Sequence, residues 1–461
     1  MPKVSPAPYL YYGETTSLCE TCLKLAPTKI LIQGEDVFYR KRCPEHGVQT
    51  TRVASDADWF RSTREWLKPG DRPLLRQTET VRGCPWDCGL CPDHEQHSCL
   101  AIVEINDACN LACPVCFAES SPARNESRTR AEVEAMLDAL VASEGEPDLV
   151  QISGGEPTIH PQIIEILQAA QARPIRHVML NTNGVRIADD PAFVNQLAGL
   201  GPGFEVYLQF DSLHGNALTH LRGADLTGVR KRALDNLEAA GVSTSLVATV
   251  KRGVNDHEMG DIIRHGLGYQ CVRGVTFQPV QDAGRNSGFS KDDRVLLTDI
   301  RRAIVAQSGM FGADDIIPLP CNPESIAIGF GLRTANGVTP ITRLLPREEL
   351  LNAPSTIAFE ARPELKQKLF DLLSLSTTEA CASDRLGALL CCLPGFELPQ
   401  GLSYKNVFRV TIIQFMDRFN FCLGGVKRSC IHFVTPQGKI IPFDTYNLFY
   451  REGKSFPEGV K

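Results

Sequence analysis

Leu100-Ala-Ile-Val-Glu-Ile105-Asn-Asp-Ala-Cys109-Asn-Leu-Ala-Cys113-Pro-Val-Cys116-Phe117 decides how the chain is read: an apolar run of strand length leads into three cysteines spaced C-x3-C-x2-C. Three thiolates so placed can wrap one corner of an iron–sulfur cube and leave its fourth iron without a protein ligand. An open iron can chelate a small molecule, whereas a four-cysteine cluster usually only passes electrons. A zinc knuckle is the competing use of the same trio.

Apolar runs of strand length lie at 100–105, just before this loop, and recur at 148–152, 176–180, 205–210, 244–250 and 273–278, with helical patterns between them. Thr129 and Glu132 form a capping box ahead of Val133, Met136, Leu137, Leu140 and Val141. Pro161 opens a second helix with Ile163, Ile164, Ile166 and Leu167, and a third covers Leu226 to Ala240 and ends at Gly241. Strands alternating with right-handed helical crossovers predict an α/β fold, a partial (β/α)6 TIM-like barrel over 100–290 with its site at the strands' C-terminal ends. A Cys-rich module (1–60, read as a β-hairpin between two knuckles) and an irregular cysteine-bearing segment (61–99) precede it. A C-terminal auxiliary-cluster region (291–461) follows, with a helix from Asp292 to Gln307, a strand run at 407–415 and a hairpin across Thr435-Pro-Gln-Gly438.

The 461 residues carry a formal net charge of −6, with Lys and Arg scattered, which argues against a nucleic-acid partner. No stretch approaches the roughly 18 apolar residues of a membrane span, so the expected location is the cytoplasm, peripheral to the membrane if the substrate is a lipid. Seventeen cysteines in that compartment point to metal ligation rather than disulfides. Cys84, Cys88 and Cys91 repeat the C-x3-C-x2-C spacing with Cys99 available as a fourth thiolate, which reads as a closed iron–sulfur cluster or a zinc site. Cys19, Cys22, Cys43 and His46 have paired-knuckle spacing suited to zinc or a single iron. Cys321, Cys422 and Cys430 with Cys391 or Cys392, of which Cys392 is preferred, form a candidate third set.

The cysteine loop, followed one βα unit later by Ile152-Ser-Gly154-Gly155-Glu156-Pro157, resembles the radical S-adenosylmethionine (SAM) superfamily. The resemblance implies that Gly154, Gly155 and Glu156 hold the SAM amino group, and that Asn183, Gln209 and Asp211 contact its ribose or the substrate. Thr249 and Lys251 are weaker candidates of the same kind, and Gln278 falls where adenine is often contacted. The family usually has an aromatic residue before the last cysteine; here that residue is Val115, and Phe117 follows the cysteine. The implied chemistry is one-electron cleavage of SAM by the cluster at Cys109, Cys113 and Cys116, giving a 5'-deoxyadenosyl radical that takes hydrogen from an unactivated carbon.

The order of the cysteine groups, with the tail Cys430-Ile-His-Phe-Val-Thr-Pro-Gln-Gly-Lys-Ile-Ile-Pro-Phe-Asp-Thr-Tyr-Asn, is similar to the archaeal tetraether lipid synthase family, earlier described as pterin methyltransferase-like. That likeness implies a SAM-binding 4Fe-4S cluster, auxiliary 4Fe-4S clusters, a mononuclear zinc or iron site, and carbon–carbon coupling or methylation of a lipid chain. An electron donor such as ferredoxin or flavodoxin is the expected partner. A peptide or pterin-type substrate is the alternative within radical chemistry, and a non-catalytic multi-cluster electron carrier is the alternative outside it.

Overall fold

The computed structural model describes residues 7–67, 70, 72–286, 288–334, 337–343 and 406–460. The N-terminal module is a four-stranded antiparallel meander, β1 (Leu10–Leu18), β2 (Leu25–Gln33), β3 (Asp36–Cys43) and β4 (Gly47–Ala54), rather than one hairpin. Only β2 and β3 carry obvious apolar runs. The outer two strands are polar enough to read as loop, yet they complete the ladders of Ile30, Ile32, Val37 and Tyr39 and cover that small core. Asp56 then caps α1 (Ala57–Ser62) through the Trp59 N–H at 2.9 Å.

The main sheet holds the six expected parallel strands in sequence order: β5 (Leu100–Glu104), β7 (Leu149–Ser153), β8 (His177–Thr182), β9 (Phe204–Gln209), β10 (Thr244–Val250) and β11 (Val272–Pro279). A two-residue strand, β6 (Val115–Cys116), lies within the cysteine loop. Helices α2 (Arg130–Glu144), α3 (Ile163–Gln171), α4 (Val185–Asp189), α5 (Pro191–Ala198), α6 (Gly215–Arg222), α7 (Thr227–Ala240) and α8 (Met259–Leu267) occupy the crossovers. The Thr129–Glu132 capping box is formed, and α7 ends on Gly241 at φ 67°. The next helix, α9 (Leu297–Ser308), starts later than Asp292 because the Asp299 carboxylate caps it, accepting from the Leu296 N–H at 3.1 Å; a single 3-10 turn covers Lys291–Asp293.

The described strands of the tail join this same sheet. After β12 (Arg285–Asn286), β13 (Ile317–Pro318), β14 (Ile326–Thr334) and β15 (Gly337–Pro340), strand β16 (Val407–Ile413) pairs parallel with β11. At the other edge β17 (Ile431–Val434) pairs parallel with β5 and turns back into β18 (Ile440–Pro442). Both edges of the arc are thereby extended by C-terminal chain.

Period-2 alternation sorts the strands into two cores. Ala101, Val103, Val150, Ile152, Val178 and Leu180 face the helices. Leu100, Ile102, Leu149, Met179, Tyr207 and Ile413 face the concave side. On that inner side Arg409 of β16 reaches Glu205 of β9, its guanidinium nitrogen 3.0 Å from both carboxylate oxygens. Burial alone would raise the Glu205 carboxyl, but the Arg409 charge, with His177 nearby, pulls it down to about 2.

Breaking this pair leaves an uncompensated buried charge, so Arg409→Met is expected to destabilise the fold by about 3–5 kcal/mol. Because the folded carboxyl lies below its ordinary value near 4.5, its stabilising share is complete above that pH and is lost as pH falls toward 2. Urea titrations of wild type and variant between pH 7 and pH 3 check both statements: the gap between the two proteins should narrow with acidification.

Candidate active site and metal centres

The cysteine loop is held by backbone contacts at close range. Gly155 N–H donates to Asn106 C=O and Glu156 N–H to Ala108 C=O, both at 2.9 Å. A Cβ on Gly155 would lie 2.0 Å from the Ala108 oxygen and one on Gly154, at φ 140°, 2.4 Å from the Asn106 oxygen. These glycines therefore admit the cysteine loop itself. From the far side β12 pairs with β6, and the Arg285 guanidinium donates to Cys113 C=O at 2.6 Å and Ser120 C=O at 2.7 Å. The three thiols are unbridged; Cys109 and Cys113 are buried and Cys116 is half-buried. Burial pushes the Cys109 thiol up to about 12 and the Cys113 thiol upward, with the Arg222 charge opposing the rise at Cys113.

A chain of side-chain hydrogen bonds crosses the strand ends. Asn181 donates to Ser153 Oγ (3.0 Å), Gln209 to Asn181 (2.8 Å), and Arg222, the last residue of α6, to Gln209 (3.1 Å) and Thr249 Oγ1 (3.0 Å). Asp211 lies beneath, fully buried at φ 67°, and grips Arg222 through both carboxylate oxygens at 2.5 and 2.7 Å. Asp211 does not line the cavity, contrary to its expected ligand contact. Its carboxylate is consumed in aiming Arg222, which does line it. Lys251 is also absent from the lining, being hydrogen-bonded to His220 at 3.0 Å. Arg222 is the residue that sequence reasoning missed: an arginine ending a short helix looks like a C-terminal charge, and only the carboxylate beneath it fixes its direction.

Glu156 is buried, its Oε1 accepting from Thr158 N–H, Thr158 Oγ1–H and Thr182 Oγ1–H and its Oε2 from Asn183 N–H at 2.7 Å. Asn183 in turn donates to Asn110 Oδ1 at 2.6 Å, tying β8 to the cysteine loop. Cys109, Cys113, Cys116, Phe117, Gly154, Gly155, Glu156, Asn183, Gln209, Thr249 and Gln278 all border one cavity of about 150 Å³. Val115 borders it as well as Phe117. The lining also holds an apolar group, Leu100, Ile102, Ile413, Ile431, Phe415 and Phe443, the last two stacked at 3.6 Å and Phe443 also 5.5 Å from Phe117. Among the described lining residues Glu156 and Arg222 alone carry formal charge.

In the N-terminal module Cys22 Sγ lies 3.8 Å from Cys43 Sγ, and His46 Nδ1 is 3.6 Å from Cys19 Sγ and 3.5 Å from Cys43 Sγ. Donors about 2.0–2.3 Å from one tetrahedral ion stand roughly 3.5–3.8 Å apart, so this set matches a single ion. Cys84, Cys88 and Cys91 border a separate small cavity with Asp93 and His94. That loop is fixed by Asp87, which accepts the Val81, Arg82 and Gly83 N–H groups, and by the Tyr450 hydroxyl, which accepts the Cys88 N–H.

Two expected groupings need correction. Cys99 does not join Cys84, Cys88 and Cys91; its thiol meets Cys321 and Cys430, the three sulfurs lying within 4.8 Å of one another. The reason is register: Leu100 of β5 pairs with Ile431 of β17, which sets Cys99 beside Cys430. Cys422 does not join that set; its sulfur lies 3.2 Å from Thr15 Oγ1, against the N-terminal meander. Cys392, like Cys381 and Cys391, lies outside the described residues.

Residues 103–266 match the Radical SAM superfamily, and residues 11–55 match the HMPTM N-terminal zinc ribbon domain. The chain is 29% identical to 7,8-dihydro-6-hydroxymethylpterin dimethyltransferase of Methanocaldococcus jannaschii, over 95% of this chain and 94% of that one. It is 30% identical to GTP 3',8-cyclase of Chlorobaculum tepidum over 49% of this chain and 69% of that one. A crystal structure of Streptococcus suis SuiB bound to S-adenosylmethionine aligns with 45% of this chain and 46% of that chain, at 17% identity and a TM-score of 0.37. With its cysteine loop packed on a Gly-Gly-Glu-Pro turn at the C-terminal ends of a parallel α/β arc, the chain belongs to the radical SAM superfamily.

Proposed function

We propose that this enzyme cleaves SAM reductively at the Cys109–Cys113–Cys116 loop and directs the radical at an unactivated C–H bond of an apolar chain, with methylation or carbon–carbon coupling as the outcome. The donor set fits an iron–sulfur cluster: three unbridged thiols line one cavity with no fourth cysteine or histidine among its described lining residues, and Glu156, its one carboxylate, is held by Thr158, Thr182 and Asn183. When bound there, the reduced cluster supplies one electron that breaks the sulfonium C–S bond of SAM and yields a 5'-deoxyadenosyl radical. The chain's own part is positioning and exclusion. Glu156 Oε2, which accepts one hydrogen bond, and the backbone beside Gly154 and Gly155 offer acceptors to an ammonium. Arg222, whose Nε and Nη2 are held by Asp211, offers its Nη1 and its charge to a carboxylate. Gln209, Thr249 and Gln278 offer polar contacts to the nucleoside.

The observation that carries the substrate reading is the apolar group in the cavity lining, beside which Glu156 and Arg222 are the only formal charges among the described lining residues. A hydrocarbon segment can sit against Phe415, Phe443, Ile413 and Ile431 at no desolvation cost, and water is kept from the radical. A second reading, a pterin-type substrate, draws on the amide row Gln151, Asn181, Gln209 and Gln278 and on the name of the M. jannaschii relative. The zinc ribbon match and tetrahedral spacing favour zinc at Cys19, Cys22, Cys43 and His46. Cys84, Cys88 and Cys91 are assigned an auxiliary iron–sulfur cluster that relays electrons.

Anaerobically reconstituted enzyme given SAM and dithionite should release 5'-deoxyadenosine, and Cys109→Ala should lower that release by more than about 100-fold; equal release by both proteins contradicts the assignment. Arg222→Met removes charge-assisted hydrogen bonds worth about 1.5–3 kcal/mol, so cleavage should slow by about 10–100-fold; an unchanged rate removes Arg222 from the site. With a perdeuterated long-chain lipid as substrate, deuterium should appear in 5'-deoxyadenosine. Deuterium transfer from a labelled dihydropterin, with none from the lipid, selects the second reading.

A further inference from the structure

Arg230, the fourth residue of α7, is enclosed behind the cavity: its side chain is 2% exposed and it does not border the lining. A cation in this place is doubly disfavoured, because burial strips it of water and the N-terminal end of a helix repels positive charge. Burial accordingly draws the guanidinium down to about 10, although Asp211 nearby opposes the fall.

We infer that Arg230 is a positioning residue for SAM: one guanidinium fixes both Asn183, which anchors the Glu156 carboxylate, and Asp211, which aims Arg222. The inference rests on the reading that Glu156 meets the ammonium of SAM and Arg222 its carboxylate.

Two contacts carry it. Arg230 Nη1 donates to the Asn183 C=O. Asn183 is the residue whose N–H holds Glu156 Oε2 at 2.7 Å and whose side-chain amide holds Asn110 of the cysteine loop at 2.6 Å. Its carbonyl lies past the last residue of β8 and ahead of Gly184, which at φ 76° caps α4. Neither strand nor helix supplies a donor at that point, and Arg230 does. On the other side, Arg230 Nη2 stands 3.7 Å from Asp211 Oδ2, the same oxygen that accepts from Arg222 Nε at 2.7 Å. Arg230 Nε and Nη2 make no hydrogen bond among the described residues, so charge rather than hydrogen bonding ties Arg230 to Asp211. Removing the guanidinium leaves Asp211 with one cation in place of two and the Asn183 carbonyl without this donor. Both ends of the SAM amino-acid site are loosened together.

The test measures binding of radiolabelled SAM to reconstituted full-length enzyme by anaerobic equilibrium dialysis, without reductant so that no SAM is cleaved. Arg230→Met should weaken binding by about 10–100-fold with iron content unchanged. Arg230→Lys keeps the buried charge but cannot reach Asn183 and Asp211 at once, so it should weaken binding less than Arg230→Met. Decarboxylated SAM separates the two ends: Arg222→Met should not weaken its binding, whereas Arg230→Met still should, through Asn183 and Glu156. Wild-type affinity for SAM in Arg230→Met overturns the inference. So does a loss of affinity that tracks a loss of iron in both variants, which makes Arg230 a support of the cysteine loop instead. If Arg230→Met does not yield folded holoenzyme, Arg230→Lys decides alone, weakened binding at full iron content upholding the inference and wild-type affinity overturning it. A wild-type enzyme that binds no SAM defeats the reading of the site itself, and weakening of decarboxylated SAM by Arg222→Met defeats only the place given to Arg222.

Discussion

Everything at the active site depends on the absence of two methyl groups. The cysteine loop returns across the end of β7 so closely that Gly154 and Gly155 meet its carbonyl oxygens where a side chain would stand. Two backbone hydrogen bonds then lock loop to turn, and the Glu156 carboxylate extends the lock to β8 by accepting the Asn183 N–H. The thiols of Cys109 and Cys113 are thus placed by the rigid sheet rather than by their own flexible loop, the arrangement that precise positioning of a reacting group requires.

A second constraint shapes the interior. C-terminal strands flank the parallel arc on both sides, so Ile413 of β16, Ile431 of β17 and Phe443, distant in sequence from the cysteines, line the same cavity. The Arg409–Glu205 pair ties one of those strands to the middle of the arc. The same edge pairing that seats Ile431 against Leu100 also creates the Cys99–Cys430 junction. Catalytic cavity and auxiliary thiols are therefore consequences of one piece of topology.

Local signals were the legible ones. The six strands announce themselves as apolar runs, the Thr129–Glu132 box marks where α2 begins, and the spacing of Cys109, Cys113 and Cys116 names its chemistry. Features set by long-range register were not. Nothing near Cys99 says that its neighbour lies more than three hundred residues later, and its closeness to Cys91 suggested the wrong partner. The family resemblance sets Asp211 at the ligand; that it sits buried at φ 67° beside two arginines, Arg222 and Arg230, is something sequence spacing does not reveal. The outer strands of the N-terminal meander escaped notice because a partly exposed strand need not alternate cleanly.

The proposal of an open iron at the three-cysteine loop is tested most directly by EPR of the dithionite-reduced enzyme before and after SAM is added. Coordination of SAM to an iron without a protein ligand should change the g-values of one cluster signal, and that signal should be missing from Cys113→Ala. A spectrum indifferent to SAM, with all clusters intact and reduced, would mean that the corner is closed and that the loop does not bind the cofactor.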